Sequence, residues 1–330
     1  FGRFFCGWVC PLGATLDGLG KLIGRGRRAF SPGWRRAKYY LLLGLGAATL
    51  CGVQLLGLFD PLAIFLRSLT LAVYPAYNYG LNQVFDFFYA HDVPLVSAMV
   101  KSSYPVFRDY LMAFHQPVFA LGLFTFLIFL AIVLLERIEH RFWCKNLCPL
   151  GGLLGLCSRY AILQRTPQRL CADCQSCDSL CRSGAVRNAG LMRSECLLCM
   201  DCTGYCPEER VTFGLRRGAA YDPGIDLQRR GMLTAVASGV MIAPAVRIGP
   251  VTYEQNPYLI RPPGAVSEGE FLQRCVRCAE CMKVCIGRTL QPALLEAGPV
   301  GLWTPLVVPR IGYCEYNCTL CGQVCPTGAI

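Results

Sequence analysis

Histidine is almost missing from this chain: three occur among 330 residues, and none follows a C-x-x-C pair, which excludes covalent haem attachment. No G-x-G-x-x-G run opens a dinucleotide fold and no G-x-x-x-x-G-K run is present to cradle a triphosphate, so nucleotide chemistry has no motif here. Charge is scarce as well. Asp, Glu, Lys and Arg make up 16% of the residues against 54% hydrophobic ones, a balance that directs attention first to membrane spans. Acidic residues are the minority, 21 against 32 basic, for a net charge of +11. That excess is explained by basic residues flanking the hydrophobic runs, and no nucleic-acid partner is expected. A methionine is lacking at the start, which reads FGRFF, and the chain stops four residues after a Cys-Pro. Both ends are therefore read as cut, and the missing targeting signal carries no weight. Cysteine, at 22, is what the sequence has in quantity.

Two runs have the length of a bilayer span, YYLLLGLGAATLCGVQLLGLF at 39–59 and VFALGLFTFLIFLAIVLL at 118–135, each with roughly the 18 uncharged residues a helix needs to cross. The alternative is a buried helix of a large soluble core. Arg25, Arg27, Arg28, Arg35, Arg36 and Lys38 precede the first run, and Arg137, Arg141 and Lys145 follow the second. Positive residues face the cytoplasm, so both flanks are expected inside and the segment 60–117 outside. Chain length suggests two or three domains.

Sixteen cysteines fall into four tight groups. Cys171, Cys174, Cys177 and Cys181 lie in CADCQSCDSLC, and Cys196, Cys199, Cys202 and Cys206 in CLLCMDCTGYCP. Both have the C-x2-C-x2-C-x3-C run of bacterial ferredoxins, in which three thiolates hold one [4Fe-4S] cluster and the fourth reaches its neighbour. The expected sets are Cys171, Cys174, Cys177 with Cys206, and Cys196, Cys199, Cys202 with Cys181. A second pair follows, Cys275, Cys278, Cys281, Cys285 and then Cys314, Cys318, Cys321, Cys325, with one extra residue between Cys314 and Cys318. Its crossed sets are Cys275, Cys278, Cys281 with Cys325, and Cys314, Cys318, Cys321 with Cys285. Zinc in all-cysteine sites and disulfides are the alternatives; zinc ribbons use paired knuckles rather than triplets, and a cytoplasmic setting disfavours disulfides. Pro207 and Pro326 follow a fourth cysteine as in ferredoxins, whereas Arg182 and Ile286 stand at the other two such places.

Between the modules, LQRRGMLTAVASGVMIAPAV at 227–246 pairs two arginines with a mildly hydrophobic run ending in A-P-A. It reads as a twin-arginine export signal, which would place the second module outside, or as a plain helix with solvated arginines.

FGRFFCGWVCPLGATLD, the run after it, HRFWCKNLCPLGGLLGL and the 171–206 cysteines resemble the NapH-type membrane ferredoxins of periplasmic nitrate reductase systems. RRGMLTAVASG with EGEFLQRCVRCAECMKVC resembles their NapG-type exported ferredoxin partners, so the chain resembles a fusion of the two. The resemblance implies a conduit that takes electrons from quinol and delivers them to a periplasmic acceptor such as a c-type cytochrome or a reductase. The C-x3-C-P pair is also shared with membrane regulators of nitrous oxide reduction and with a copper-reducing assembly protein, and the 60–117 segment exceeds a minimal NapH-type protein. The expected fold is an α-helical membrane domain plus two bacterial-type 2[4Fe-4S] ferredoxin-like modules of small α+β form. Its divisions are 1–163, 164–226, 227–247 and 248–330, integral to a bacterial cytoplasmic membrane with the first module cytoplasmic.

FCGWVCP and WCKNLCP state one motif twice. On a helix, residues four apart share a face, which pairs Cys6 with Cys10 and Cys144 with Cys148. Pro11 and Pro149 are expected to start helices, putting Cys10 and Cys148 at N-termini that favour a thiolate or an anionic cluster. Two pairs make a ligand set for a fifth [4Fe-4S] cluster; a redox-active dithiol and packing cysteines are the alternatives. Cys51 and Cys157 are assigned to packing. His91, Asp92, Asp109 and His115 are candidates for the quinol site, because quinol oxidation needs groups that accept two protons.

Overall fold

The computed structural model describes residues 2–24, 26, 32–91, 104–108, 111–113, 115–167, 177, 180–187, 190–206, 211–215, 227–248 and 259–330. Asp92, Asp109, Cys171, Cys174 and Pro207 lie outside them. The chain divides into two compact units, one of Phe1–Ile64 with Leu130–Ile248 and one of Phe65–Phe129 with Gly249–Ile330.

In the first unit the two copies of the repeat build the same local structure. A short helix, Phe4–Trp8, ends at Cys10, whose N–H returns five residues to Phe5 O at 2.9 Å. Cys148 does the same to Trp143 O, also at 2.9 Å. Each cysteine then takes an extended backbone, ψ 113° in both, and caps a helix whose first residue is proline, Pro11–Ile23 and Pro149–Ser158. Proline suits that place because its fixed φ is helical and its missing N–H would have had no partner there. Leu12 and Leu16 share one face of the first helix and are wholly buried. The Ala37–Leu50 helix packs against Pro149–Ser158 and against Arg229–Ile248; Tyr40 Oη accepts the Gln228 N–H at 3.2 Å where the latter begins. Strands β1 (Leu163–Pro167) and β4 (Val211–Leu215) pair antiparallel, as do the short β2 (Val186–Arg187) and β3 (Gly190–Leu191).

The expected membrane domain is not what these residues form. Among the described residues no helix is long and apolar enough to cross a membrane. The 39–59 run yields a 14-residue helix, Ala37–Leu50, about 21 Å of rise against the roughly 30 Å of a hydrocarbon core. It ends because Gly52 turns left-handed, φ 85°, and only Leu56–Phe59 is helical again before Asp60. The 118–135 run yields Gly122–Leu134, 13 residues, with Val118–Leu121 outside the helix. The basic flanks also have another use: Lys38, Arg35, Arg141 and Lys145 are buried against the carboxylates described below.

The second unit takes in most of the segment expected as an outer loop. A wide turn, Leu69–Val73, leads into the long helix Tyr74–His91. Strands β5 (Leu290–Pro292) and β6 (Pro305–Val307) pair antiparallel, and Ala293, Ala297 and Leu306 form a small core beside them. Trp303 anchors the segment 65–129 to the rest of the unit: Arg67 lies 3.9 Å over its ring, Phe124 stacks on it at 5.6 Å, and its Nε1–H donates to Thr125 Oγ1 at 3.0 Å.

Candidate functional site

Cys6, Cys10, Cys144 and Cys148 converge in the first unit, and all four are buried. Burial pushes the Cys144 thiol well up, and the Cys148, Cys10 and Cys6 sulfurs raise it further while Arg141 opposes them. Burial likewise pushes Cys148 up to about 12, against the pull of the Gly151 N–H, which donates to Cys148 Sγ at 3.3 Å from the first turn of the helix it caps.

Two arginines frame this site; the sequence offered Arg141 only as a flanking charge and Arg3 not at all. Arg3 and Arg141 stand three residues ahead of the first cysteine in each copy, RFFC and RFWC, and they cross over. Arg3 Nη2 donates to Cys144 O at 3.2 Å, and Arg141 Nη1 donates to Cys6 O at 2.9 Å. The glycine of each CPLG makes room for this exchange. A Cβ on Gly151 would stand 3.0 Å from Arg3 Nη2 and 3.1 Å from Cys144 O; one on Gly13 would stand 3.2 Å from Cys6 O and 3.6 Å from Arg141 Nη1. The signal was in the repeat, which runs R-F-x-C-x3-C-P-L-G rather than only C-x3-C-P.

Each arginine is held by a carboxylate. Glu195 takes Arg3 Nη1 at 2.7 Å and Lys38 Nζ at 2.6 Å, with the Tyr39 hydroxyl donating at 3.3 Å. Burial alone would raise the Glu195 carboxyl, but Arg3 and Lys38 hold it below the usual carboxylate range. Lys38 is brought down to about 8 by burial and by Arg3, with Glu195 opposing. Asp17 grips Arg141 through both oxygens, at 2.9 and 2.6 Å, and takes Arg182 Nη1 at 3.0 Å. A third carboxylate, Glu139, takes Lys145 Nζ at 3.1 Å and Arg35 Nη2 at 3.8 Å.

These contacts reach the first ferredoxin loops directly. Glu195 precedes Cys196, Arg182 follows Cys181 and also pairs with Asp201, and Arg35 Nη1 donates to Gly184 O at 2.9 Å. Trp8 Nε1 donates to Leu198 O at 2.9 Å, between Cys196 and Cys199. One cavity here is lined by Cys177, Cys181, Cys196, Cys199 and Cys202, and Cys206 packs with Cys177 and Val211 in the adjoining core. Burial pushes Cys196 up to about 12 and Cys199 to about 11. It raises Cys202 too, which the Arg165 guanidinium opposes.

In the second unit Cys275, Cys278, Cys281 and Cys325 line one cavity, and Cys285, Cys314, Cys318 and Cys321 line another. The two units share a backbone device. Leu198 (φ 53°) and Met200 (φ 62°) are left-handed in CLLCMDC, and Arg277 (φ 60°) and Ala279 (φ 68°) are left-handed at the same places in CVRCAEC. Such alternation turns successive N–H groups inward as an anion-binding nest, and strained positions of this kind persist where the surroundings over-determine them. Sulfur acceptors recur as well: Ala185 N–H donates to Cys181 Sγ and Ala329 N–H to Cys325 Sγ, each at 3.3 Å. On Cys325 the N–H groups of Ile330, Thr327 and Ala329 outweigh burial and lower the thiol. Cys314, ahead of the inserted residue, is exposed.

Among the described residues no three His, Cys, Asp or Glu side chains converge closely enough to chelate a single ion. Cubane ligands bind separate irons and need not meet at one point. Buried thiols met by N–H donors, left-handed nests and guanidinium groups fit an anionic iron-sulfur cluster. A family model for a 4Fe-4S binding domain matches residues 1–29 and 118–167, which hold all four C-x3-C-P cysteines.

The chain carries a 4Fe-4S ferredoxin-type domain. Relatives extend that relationship. Ferredoxin-type protein NapG of Escherichia coli (strain K12) is 42% identical over 72 residues, 22% of this chain and 31% of NapG. The methylamine utilization ferredoxin-type protein MauM of Methylorubrum extorquens is 45% identical over 74 residues, 22% of this chain and 32% of MauM. Protein YccM of Escherichia coli is 27% identical over 253 residues, 73% of this chain and 59% of YccM. The chain thus spans about a third of NapG and MauM and less than two thirds of YccM. No solved structure matches it.

The other site candidates stand elsewhere. His91 ends the Tyr74–His91 helix in the second unit, stacked on Phe87 at 4.3 Å with Nδ1 3.1 Å from Phe87 O. His115 is exposed in the same unit. Cys51 caps the Ala37–Leu50 helix, and Cys157 lies exposed on Pro149–Ser158.

Proposed function

We propose that this chain is an electron relay in which Cys6, Cys10, Cys144 and Cys148 hold a [4Fe-4S] cluster that passes electrons to the ferredoxin loops of the same unit. The observation that carries the reading is the double role of Arg3, which binds Cys144 O and Glu195, the residue before Cys196, with one guanidinium. Trp8 adds a second bridge from the segment between Cys6 and Cys10 to Leu198. These hydrogen bonds hold the two groups of cysteines beside each other, and closeness is what electron transfer between two centres needs.

When bound, such clusters supply one-electron storage at potentials tuned by hydrogen bonds, charge and burial. The rest is done by the protein. Arg3 and Arg141 place positive charge beside the four sulfurs, the N–H groups of Gly151, Ala185 and Ala329 point at thiolates, and Arg165 opposes the charge on Cys202. The cavity linings support the crossed ligand sets of the second unit, Cys275, Cys278, Cys281 with Cys325 and Cys314, Cys318, Cys321 with Cys285; in the first unit Cys196, Cys199, Cys202 and Cys181 share a lining that also takes in Cys177. The set of Cys171, Cys174, Cys177 with Cys206 completes four ferredoxin clusters by analogy with the run of its neighbour. Quinol is the reductant we favour, a lipophilic donor suited to the apolar side chains that the Gly122–Leu134 helix exposes, Leu123, Phe126 and Leu127. A redox partner as acceptor is in line with the relationship to NapG, a ferredoxin-type protein.

Iron and labile sulfide per chain test the cluster count. About twenty of each are expected for five cubanes, falling to about sixteen when Cys6, Cys10, Cys144 and Cys148 are all changed to Ser. Sixteen in the unaltered protein overturns the fifth cluster. Reduction of the clusters by a quinol tests the donor; no reduction at any quinol concentration rejects it.

A further inference from the structure

One titratable group is buried beside the Arg141 clamp and has no part in the relay so far. Glu136 is 0% exposed. Its Oε2 accepts the Arg141 N–H at 3.0 Å, and its Oε1 has no hydrogen-bond partner among the described residues. One turn on, His140 brings Nδ1 to 3.4 Å from Glu136 Oε2 and Nε2 to 3.2 Å from Asp17 Oδ1. The three side chains form a file running inward from Asp17, 14% exposed, through His140, 13%, to Glu136, 1%. The charged groups facing Glu136 are Asp17 on the Pro11–Ile23 helix, His140 and Arg141 on its own segment, and Lys145 on the Trp143–Leu147 turn. Burial pushes its carboxyl up to about 7; Asp17 adds to this, while the Arg141 N–H and the Arg141 and Lys145 charges oppose it. A carboxylate oxygen left dry and unpaired is costly unless it takes a proton.

We propose that Glu136 is a proton-loading group for the four-cysteine site, binding one proton on its carboxyl when that site gains one electron and releasing it when the electron leaves. This rests on the reading that Cys6, Cys10, Cys144 and Cys148 hold a redox centre. The proton comes from hydronium at the surface and passes from Asp17 through His140; the one bond formed is O–H at Glu136, and it breaks again on reoxidation. The electron comes from the quinol in function, or from dithionite in a titration. Added negative charge raises the carboxyl further, so above neutrality Glu136 is ionised in the oxidised protein and protonated in the reduced one. Below that window it is protonated in both.

The test is a potentiometric titration of the full holoprotein followed by electron paramagnetic resonance, reading the signal that disappears in Cys6→Ser. Above neutrality the oxidised-to-reduced ratio at fixed potential is expected to rise by up to about tenfold per pH unit in the native chain, and to be independent of pH in Glu136→Gln. Reduced-minus-oxidised infrared spectra should show a protonated carboxyl band that Glu136→Gln removes. If that variant does not fold, the band in the native chain, shifted by isotope-labelled Glu, decides the matter. A potential independent of pH in the native protein, or a band that survives the substitution, overturns the proposal. Absence of any signal lost in Cys6→Ser rejects the four-cysteine cluster itself, and this proposal with it.

Discussion

Arg3 and Arg141 each stand three residues ahead of their own cysteines and serve the other copy's. The glycines that admit them are as constrained as the cysteines. Gly151→Ala should cost about 1–3 kcal/mol, since its Cβ meets a buried guanidinium and a carbonyl and one of them must move; chemical denaturation with iron counting is the check, and an unchanged midpoint would mean that Arg3 has slack to yield. Glu195→Gln tests the charge that fixes Arg3 and Lys38. Removing one partner of a buried ion pair leaves the other uncompensated, and a loss of about 3–5 kcal/mol is expected. Because the folded protein holds the Glu195 carboxyl below its unfolded range, the stability it contributes is complete above the unfolded value. That contribution is lost as the pH falls through the lower folded value. The native chain should therefore show an acid-side loss of midpoint that Glu195→Gln lacks.

Among the elements, the cysteine loops depend on backbone conformations that side chains disfavour. Leu198 and Ala279 are left-handed without being glycine, at a cost of roughly 1–2 kcal/mol each. Leu198→Gly should keep its iron and gain up to about 1 kcal/mol, whereas Leu198→Val should lose iron, because a branched Cβ tolerates that region least; equal iron in both variants would mean the loop is free to change shape. The helices show what was readable and what was not. Pro11 and Pro149 announced the starts of their helices, and the repeat announced that the two sites are equivalent. A continuous helix carrying both cysteines of a pair was not found, because the wide turn closing on Cys10 and Cys148 separates them. The runs at 39–59 and 118–135 read as spans because composition counts apolar residues without showing that Gly52 breaks the first and that Val118–Leu121 stay outside the second. Lys38 and Arg141 read as cytoplasmic flanks of spans, yet their partners, Glu195 and Asp17, lie far away in sequence. No local pattern reveals a pairing of that range.

Across the whole molecule, iron-sulfur ligation and folding are expected to be one equilibrium for the cysteine loops and separate for the helices. Ligand sets of thiolates contribute their binding energy as folding energy, while the Ala37–Leu50 and Arg229–Ile248 helices hold each other by packing. Stripping the clusters should therefore abolish hydrogen-exchange protection in residues 196–206 and 275–285 and spare residues 37–50. Uniform loss over all three stretches would instead show that the helical core needs the clusters. The net charge of +11 is then free to act on partners, and association with an acidic acceptor should slow as ionic strength rises.

The crossed arginines also impose an order on synthesis. Cys6 and Cys10 leave the ribosome before their partners, since the guanidinium that caps Cys6 O belongs to Arg141 and the carboxylate that fixes Arg3 belongs to Glu195. The nascent chain thus holds two thiols that cannot close their site until the first ferredoxin loops have begun to emerge. Closure of the four-cysteine site is therefore a late event, and a chain truncated before Glu195 should carry Cys6 and Cys10 open to thiol reagents that the finished protein excludes.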